Sequence, residues 1–495
     1  MSTQSSQAPE WSARILLSQL IGREISPDPE ICGITADSRM VRSGFVFAAL
    51  KGEHFDGADF IHEAIEAGAV AILADKGVCA SVPVIEAEEP RLRLAQLASR
   101  FHAGQPDMVV AVTGTNGKTS VASFTQQLWA MLGQKSGSLG TLGAFAPGYD
   151  YSLRHTTPDP VEIHQVLSTM TALGTTHLAM EVSSHGLSHY RADGVRFSHA
   201  AFCNITQDHL DFHDNFDDYF NAKLRLFTQL LPDDGVAVVN MDGAGANRVR
   251  EAVLARGVGL LTTGKGNQDL SLQTIEPIAR GLRVKIAAAD DVFDLMIPLF
   301  GDFQAENALL AAGLVMASGF VAREVLPLLE KLQGAPGRMQ LVGERQLENG
   351  KASIYVDFAH TPDALARALA AIRPHAKARI HLVFGAGGDR DKDKRPLMGV
   401  EAAKGADNII ITDDNPRKED AAEIRAQIQA ACPQAQNIGD RRVAIRTGIE
   451  ALQAGDVLVI AGKGHESGQT VGTVTMPFND GVVARQELEK VERVC

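Results

Sequence analysis

The sequence predicts an α/β protein of about three domains built on largely parallel sheets. Apolar strands recur between helical stretches from Met108 onward, and again from Ile354 onward. One of these strands, Val109-Val-Ala-Val-Thr113, runs into a glycine-rich turn that opens a helix. The 495 residues also exceed what a single core sustains, at roughly 150 residues per domain.

Before the linker Gly104-Gln-Pro-Asp107, short strands at Phe45–Leu50 and Ala69–Leu73 flank a helix over His62–Ala67. The middle region places a helix over Val121–Leu132 and strands at His177–Glu181, Ala200–Asn204 and Gly235–Asn240. A glycine and proline cluster, Gly334-Ala-Pro-Gly337, closes that region. Beyond it lie strands at Ile354–Asp357, Ile380–Phe384, Asn408–Thr412 and Asp456–Ala461. Helices over Asp363–Ile372 and Ala421–Ala431 alternate with them. In open α/β sheets ligands bind beyond the carboxyl ends of strands, so the polar segments after these strands are the candidate sites.

Hydrophobic residues make up 45% of the chain and charged residues 22%, as in an ordinary globular protein. No apolar run approaches the roughly 20 residues of a membrane span, and the N-terminal segment lacks a signal-peptide pattern. The five cysteines, Cys32, Cys79, Cys203, Cys432 and Cys495, have no CxxC spacing. That argues against a disulfide framework or zinc site and for a reducing cytoplasm. A net charge of −13 argues against a nucleic-acid partner, which a basic face would announce.

The turn Gly114-Thr115-Asn116-Gly117-Lys118-Thr119-Ser120 carries the first chemistry. Glycines let successive N–H groups converge on an anion, and the helix N-terminus adds about half a positive charge. Lys118 can reach β- and γ-phosphates, and the Thr119 hydroxyl can hold magnesium. The common eight-residue pattern places its first glycine at position 112, which is Val112 here, so this loop is shorter than that of motor proteins or GTPases. Glu181, at the next strand end, is placed to hold the same ion. It is followed by Ser183 and His185, but without a G-x-S-x-G elbow a serine hydrolase is not indicated.

Asp208-His209-Leu-Asp211 offers an imidazole metal ligand, His209, with carboxylates beside it. Lys223 lies on a helical stripe with Phe216, Tyr219, Phe220, Leu224 and Phe227. Two readings stand: its stem follows the core while the ammonium reaches solvent, or a neutral amine takes up CO₂ and becomes an anionic carbamate. In the last region, Gly385-Ala-Gly-Gly-Asp389-Arg390 does not fit the dinucleotide fingerprint. Asp414-Asn415-Pro416-Arg417 and Gly462-Lys463-Gly464-His465-Glu466 end two further strands. Their arginine suits a carboxylate and their glutamate an ammonium, a grip on both charged ends of an amino acid.

Together with Asp357-Phe-Ala-His-Thr-Pro-Asp363, these motifs, in this order over essentially the full chain, resemble the ATP-dependent Mur ligases of peptidoglycan synthesis. The resemblance implies three domains: 1–105 for the UDP end of the substrate, 106–336 for a central P-loop ATPase, and 337–495 for a mobile, Rossmann-like amino-acid domain. It implies ATP as co-substrate, UDP-N-acetylmuramoyl-L-alanyl-D-glutamate as acceptor of the new bond, and a monomer acting without nucleic acid or membrane. Asp414-Asn-Pro-Arg417 is similar to the signature of members that add meso-2,6-diaminopimelate.

By the same resemblance, Thr119 and Glu181 hold one Mg²⁺, and His209 with a CO₂-derived carbamate on Lys223 holds a second. Asn307 and Asp357 lie near the adenosine. Ser38, within Asp37-Ser-Arg39, and Glu53, His54 and Phe55 hold the uridine. His155, Thr156, Thr157, Ser183, His189 and Arg191 contact the muramoyl dipeptide, with His155 and His189 standing where some relatives carry Asn and Gln. Arg390, Asp414, Asn415, Pro416, Arg417, Gly462 and Glu466 hold the incoming amino acid. A lysine-adding ligase, a folylpolyglutamate synthetase and a P-loop NTPase that acts only as a binding switch are the competing expectations. Arg417 and the long N-terminal region argue against the first two, the shortened P-loop against the third.

Overall fold

The computed structural model describes residues 14–52, 55–206, 212–213, 215–278 and 280–494. Glu53, His54, Asp208, His209 and Asp211 lie outside the described residues. By internal contact the chain forms two compact units, Met1–Thr263 with Leu310–Val321, and Gly264–Leu309 with Ala322–Cys495. No helix among the described residues is long and apolar enough to cross a membrane.

The first unit opens with a parallel four-stranded sheet, β1 (Gly33–Thr35), β2 (Phe45–Ala48), β3 (Ala69–Asp75) and β4 (Val84–Ala87), in sequence order. Helix α1 (Pro90–Phe101) lays Leu94, Leu97, Ala98 and Phe101 on one face of it, with Val46, Ala71 and Leu73 beneath. Pro90 at its first turn needs no donor there, which starts the helix cleanly.

A second sheet follows. Strand β5 (Met108–Thr113) feeds the glycine turn and α2 (Lys118–Met131). Then come β6 (Ser136–Gly140), β7 (Gly143–Ala146), α3 (Pro160–Ala172), β8 (His177–Glu181), β9 (His199–Phe202), α4 (Phe216–Arg225), β10 (Val236–Asn240) and β11 (Gly259–Gly264). The parallel order is β6-β8-β5-β9-β10-β11, with β7 antiparallel on β6. Val109 to Val112 of β5 are fully buried, as a strand covered on both faces requires. After β5 the chain builds β6 and β8 on one side of it and then crosses to β9 on the other, so the glycine turn sits at a topological switch point. Helix α2 begins at Lys118, one turn earlier than the apolar periodicity suggests, because the phosphate-loop residues themselves form its first turn.

The second unit starts with an antiparallel meander, β12 (Leu270–Ile278), β13 (Gly281–Ala288) and β14 (Asp291–Ile297). The chain then passes through α5 (Asp302–Ala317). A six-stranded sheet follows, built from β15 (Gln340–Leu347), β16 (Gly350–Asp357), β17 (Ile380–Phe384), β18 (Asn408–Ile411), β19 (Val457–Ala461) and a short edge at Gln436–Asn437. Its order is β15-β16-β19-β17-β18-edge, parallel from β16 onward.

Helices α6 (Pro362–Ile372), α7 (Lys394–Gly405) and α8 (Ala421–Gln429) bury Leu369, Met398 and Ile428 in the core on one face of the sheet. On the other face, α9 (Arg441–Glu450) and the terminal helix Asp480–Val494 contribute Ile445, Ile449 and Val483. This is a doubly wound α/β arrangement, although Gly385–Arg390 lacks the dinucleotide fingerprint.

Candidate active site

Two strand ends shape the glycine turn. A Cβ on Gly114 would lie 2.8 Å from Cys203 Cβ and 3.1 Å from the Asn204 carbonyl, so only glycine lets the ends of β5 and β9 close together. Gly117 has φ +92°, the left-handed step that turns the chain into α2. Thr115 N–H donates to Asn204 O at 2.9 Å and Asn116 N–H to Asn204 Oδ1 at 3.1 Å, while Asn204 Nδ2 returns to Asn116 O at 3.2 Å. The Thr115 hydroxyl meets Tyr219 Oη at 2.8 Å. Lys118 bends over its own loop, its Nζ donating to Gly114 O and Thr115 O, each at 2.9 Å. Ser120 is buried in the first turn of α2. Cys203, buried beneath, has its thiol pushed up to about 12 by burial, which removes it as a neutral-pH nucleophile.

Glu181 ends β8 beside this turn and is 2% exposed. Its Oε2 accepts from Thr119 Oγ1 at 2.9 Å and from Thr141 Oγ1 at 3.1 Å, and its Oε1 from Thr141 N–H at 2.8 Å. Among the described residues no three His, Cys, Asp or Glu side chains converge as a metal site. The Thr119 hydroxyl and Glu181 carboxylate are instead a pair of hard oxygen donors, the set that suits a magnesium ion retaining several waters.

The segment after Glu181 folds back on Thr157. Thr157 Oγ1 donates to Glu181 O at 3.1 Å and accepts from Ser183 N–H at 2.9 Å, and Arg191 Nη1 donates to Thr157 O at 2.9 Å. Ser183 caps the short helix Ser184–Ser188 by accepting from Gly186 N–H at 3.1 Å. Thr156, Thr157, Ser183 and Arg191 are thus gathered on one side of Glu181. His155 is exposed, and desolvation and then the Arg191 charge hold its imidazole below the ordinary value. His189 is half-buried, its ring edge-on to Phe212 at 5.2 Å.

Lys223 is 1% exposed, so its ammonium does not reach solvent and that sequence expectation is corrected. Nζ donates to Gly114 O at 3.0 Å and lies 4.6 Å from the centroid of the Tyr219 ring. The stripe around it is narrower than its periodicity suggests: Tyr219, Phe220 and Phe227 are buried, whereas Phe216 near the helix start is 41% exposed. Lys118 and Lys223 therefore meet at one carbonyl oxygen, where two ammonium groups repel each other. Conversion of Lys223 to an anion relieves that repulsion, so the site fits a carbamate.

In the N-terminal sheet region, Ser38 begins a single 3₁₀ turn capped by Asp37. The Arg39 guanidinium, hydrogen-bonded to the Asp37 carboxylate, holds that group below its ordinary range, with a smaller contribution from Arg154 beside His155. The Phe55 ring is 73% exposed and touches only the edge of Phe60 among described rings.

The second unit brings its candidates to the ends of β16, β17, β18 and β19. Asp357 is buried and accepts from Met339 N–H at 2.7 Å and Ala359 N–H at 2.8 Å, while burial pushes its carboxyl up. Asn307, on α5, donates to Gln304 Oε1 at 3.1 Å. Gly388 is where the Gly385–Arg390 and Asp414–Arg417 loops meet, since a Cβ there would stand 1.9 Å from Pro416 O. Arg417 adopts φ +51°, as does Asp389 across the gap, a strained conformation outside glycine.

Arg417 is locked by Arg417 N–H to Thr470 O at 3.1 Å and by Gly472 N–H to Arg417 O at 2.6 Å. Its Nη1 donates to Gly388 O at 2.7 Å, which leaves the rest of the fork for a ligand. Arg390 is exposed. Glu466 Oε2 already accepts from Lys463 Nζ at 2.7 Å and Asn415 Nδ2 at 2.8 Å, so half of the carboxylate expected to take a ligand ammonium is committed. Gly462 has φ +113°, and a Cβ there would come within 2.7 Å of Asp414 Oδ2.

Asn204, Thr141 and Lys463 are polar residues at these strand ends to which the motif reading gives no role. Thr141 had a signal, a two-residue turn between glycines in Gly140-Thr-Leu-Gly143. Lys463, fully buried in a glycine-rich motif, had none.

The chain belongs to the Mur ligase family. Models of the Mur ligase family catalytic domain, the Mur ligase middle domain and the Mur ligase glutamate ligase domain match residues 30–102, 112–315 and 337–464. It is similar to the UDP-N-acetylmuramoyl-L-alanyl-D-glutamate--2,6-diaminopimelate ligase of Brucella melitensis, 48% identical over 454 residues, 91% of this chain and 92% of that one. The ligase of the same name from Caulobacter vibrioides is 48% identical over 96% of this chain and 99% of its own. A solved structure of a ligase of that name covers 97% of this chain and 99% of its own, with 31% identity and a TM-score of 0.70. The expected three-domain α/β architecture of the family is therefore the architecture of this chain.

Proposed function

We propose that this chain is an ATP-dependent, ADP-forming ligase that adds meso-2,6-diaminopimelate to UDP-N-acetylmuramoyl-L-alanyl-D-glutamate during cytoplasmic synthesis of peptidoglycan precursor, acting as a monomer. The observation that carries this reading is 48% identity over nearly the full length with ligases named for those substrates, in a chain whose P-loop Thr119 faces Glu181. The division we infer is 1–105 for the uridine end, 106–336 for ATP and 337–495 for the amino acid.

A carboxylate does not condense with an amine unaided, because its oxygen is a poor leaving group. The γ-phosphoryl of ATP passes to the D-glutamate γ-carboxylate, giving ADP and an acyl phosphate. The amine then attacks the acyl carbon, the amide bond forms, and phosphate leaves. The N–H groups of Gly117 to Ser120, the part of the loop not tied to Asn204, cradle the phosphates, and Lys118 moves from its loop carbonyls to the oxygens of the transferring group.

Thr119 and Glu181 would hold one magnesium ion, and His209 with a carbamate on Lys223 a second, to offset the charge of the phosphoryl step. Asn307 and Asp357 hold the adenosine. Ser38, Glu53, His54 and Phe55 hold the uridine. His155, Thr156, Thr157, Ser183, His189 and Arg191 orient the dipeptide. Arg390, Asp414 to Arg417, Gly462 and Glu466 grip the diamino acid. The strained Arg417 presents an arginine fork to its second carboxylate.

A panel of amino-acid acceptors tests this. With ATP and the UDP-muramoyl dipeptide, mass analysis should show product with meso-diaminopimelate and little with L-lysine. Equal use of both acceptors would refute the assigned substrate.

A further inference from the structure

We propose that Thr141 is a positioning residue that couples the nucleotide side of the site to the dipeptide side. The inference rests on the ligase reading and deepens it. Thr141 and Leu142 form the two-residue turn between β6 and β7, whose flanking residues Gly140 and Gly143 pair directly. The turn is pressed onto Glu181: a Cβ on Gly140 would lie 2.2 Å from Glu181 Oε1, and Thr141 supplies both an N–H and a hydroxyl to the carboxylate. The same hydroxyl oxygen lies 2.9 Å from Thr156 Oγ1.

An unbroken chain therefore runs from Thr119 to Glu181, to Thr141, to Thr156. Its polarity follows from proton counting. Ionised Glu181 only accepts, so Thr141 spends its one hydroxyl proton on Oε2 and its oxygen accepts from Thr156. Thr156 is then left with lone pairs to offer an N–H or O–H of the dipeptide. A nucleotide whose magnesium ion would take both Thr119 and the Glu181 carboxylate pins that carboxylate, and with it Thr141 and Thr156, so that a dipeptide arriving next meets a hydroxyl already in place. Occupancy of one substrate site thus orders a hydroxyl of the other, which suits an enzyme that must not transfer phosphate before its acceptor is seated.

The test is calorimetric and needs no turnover. Binding of UDP-N-acetylmuramoyl-L-alanyl-D-glutamate to the full-length protein is measured with and without the β,γ-methylene analogue of ATP. Wild type should bind the dipeptide about 5-fold or more tightly when the analogue is present, the lower end of ordinary coupling between sites. Thr141→Val keeps the backbone N–H but removes the hydroxyl, and should bring the two affinities to within about 2-fold of each other. Thr141→Ser should restore the coupling. Thr156→Val, which cuts the chain at its other end, should lose coupling in the same way and stands in should Thr141→Val fail to fold. Coupling that survives in either valine variant, or is absent from wild type, overturns the proposal. Wild type that binds no UDP-muramoyl dipeptide at all would overturn the ligase reading with it, a distinguishable result.

Discussion

Lys118 and Lys223 donate to the same carbonyl oxygen, that of Gly114, and this shared acceptor defines the site at the scale of single residues. Lys118 belongs to the helix start and can swing outward; Lys223 reaches in from another helix and is buried. Lys118→Ala should leave the fold intact, because the turn keeps its glycines and its bonds to Asn204 when the two bonds from the lysine are lost. It should lower turnover by more than about 100-fold, on the order of 3 kcal/mol lost from stabilising a transferring phosphoryl group. Circular dichroism together with a steady-state assay checks both halves, and near-wild-type turnover would remove the P-loop assignment. For Lys223, intact-protein mass analysis under bicarbonate should show the added mass of CO₂. Lys223→Ala should lose most activity, with partial recovery in acetate, whose carboxylate fills the vacated anion position. An unmodified lysine in the active enzyme would count against the carbamate.

At the scale of elements, strand ends and the loops that follow them carry the chemistry, and these were the most legible parts of the sequence. Val109 to Val112 announce a strand buried on both faces, and the glycines at 114 and 117 announce the turn. The stretch Leu270–Ile297 was not legible as a meander, because its alternation is broken by a bulge between Leu272 and Thr274 and its outer face exposes Val292 and Met296. Lys223 was legible as an anomaly on an apolar stripe, but the position of its ammonium was not. A pattern of spacing cannot say which carbonyl a long side chain reaches.

The hydroxyl relay through Thr141 was hidden for a related reason, since its partners Thr119, Thr156 and Glu181 are distant in sequence. Arg417 tests this level directly. A fork left facing lysine's bare ammonium is unpaired and repelled, a difference of about 2–5 kcal/mol or roughly 30-fold to several thousand-fold. Arg417→Ala should reduce diaminopimelate turnover far more than ATP affinity and narrow the preference over lysine. An unchanged preference would remove Arg417 from the specificity account.

At the scale of the whole molecule, the family assignment rests on motifs spread from Asp37 to Glu466, and the family models match three successive stretches of the same span. Composition contributed only expectations of what to set aside, because net charge and scattered cysteines argue against some partners and name none. The candidate residues of the two compact units were each legible as motifs, yet none of those motifs states that phosphate transfer must await an acceptor. That dependence is the central claim, and phosphate release measures it. With ATP alone, or with ATP and only one of the UDP-muramoyl dipeptide and meso-diaminopimelate, release should stay near background. With all three it should rise in step with one amide bond formed per phosphate released. Equally fast release from ATP alone would contradict the ligase account and leave a P-loop NTPase in its place.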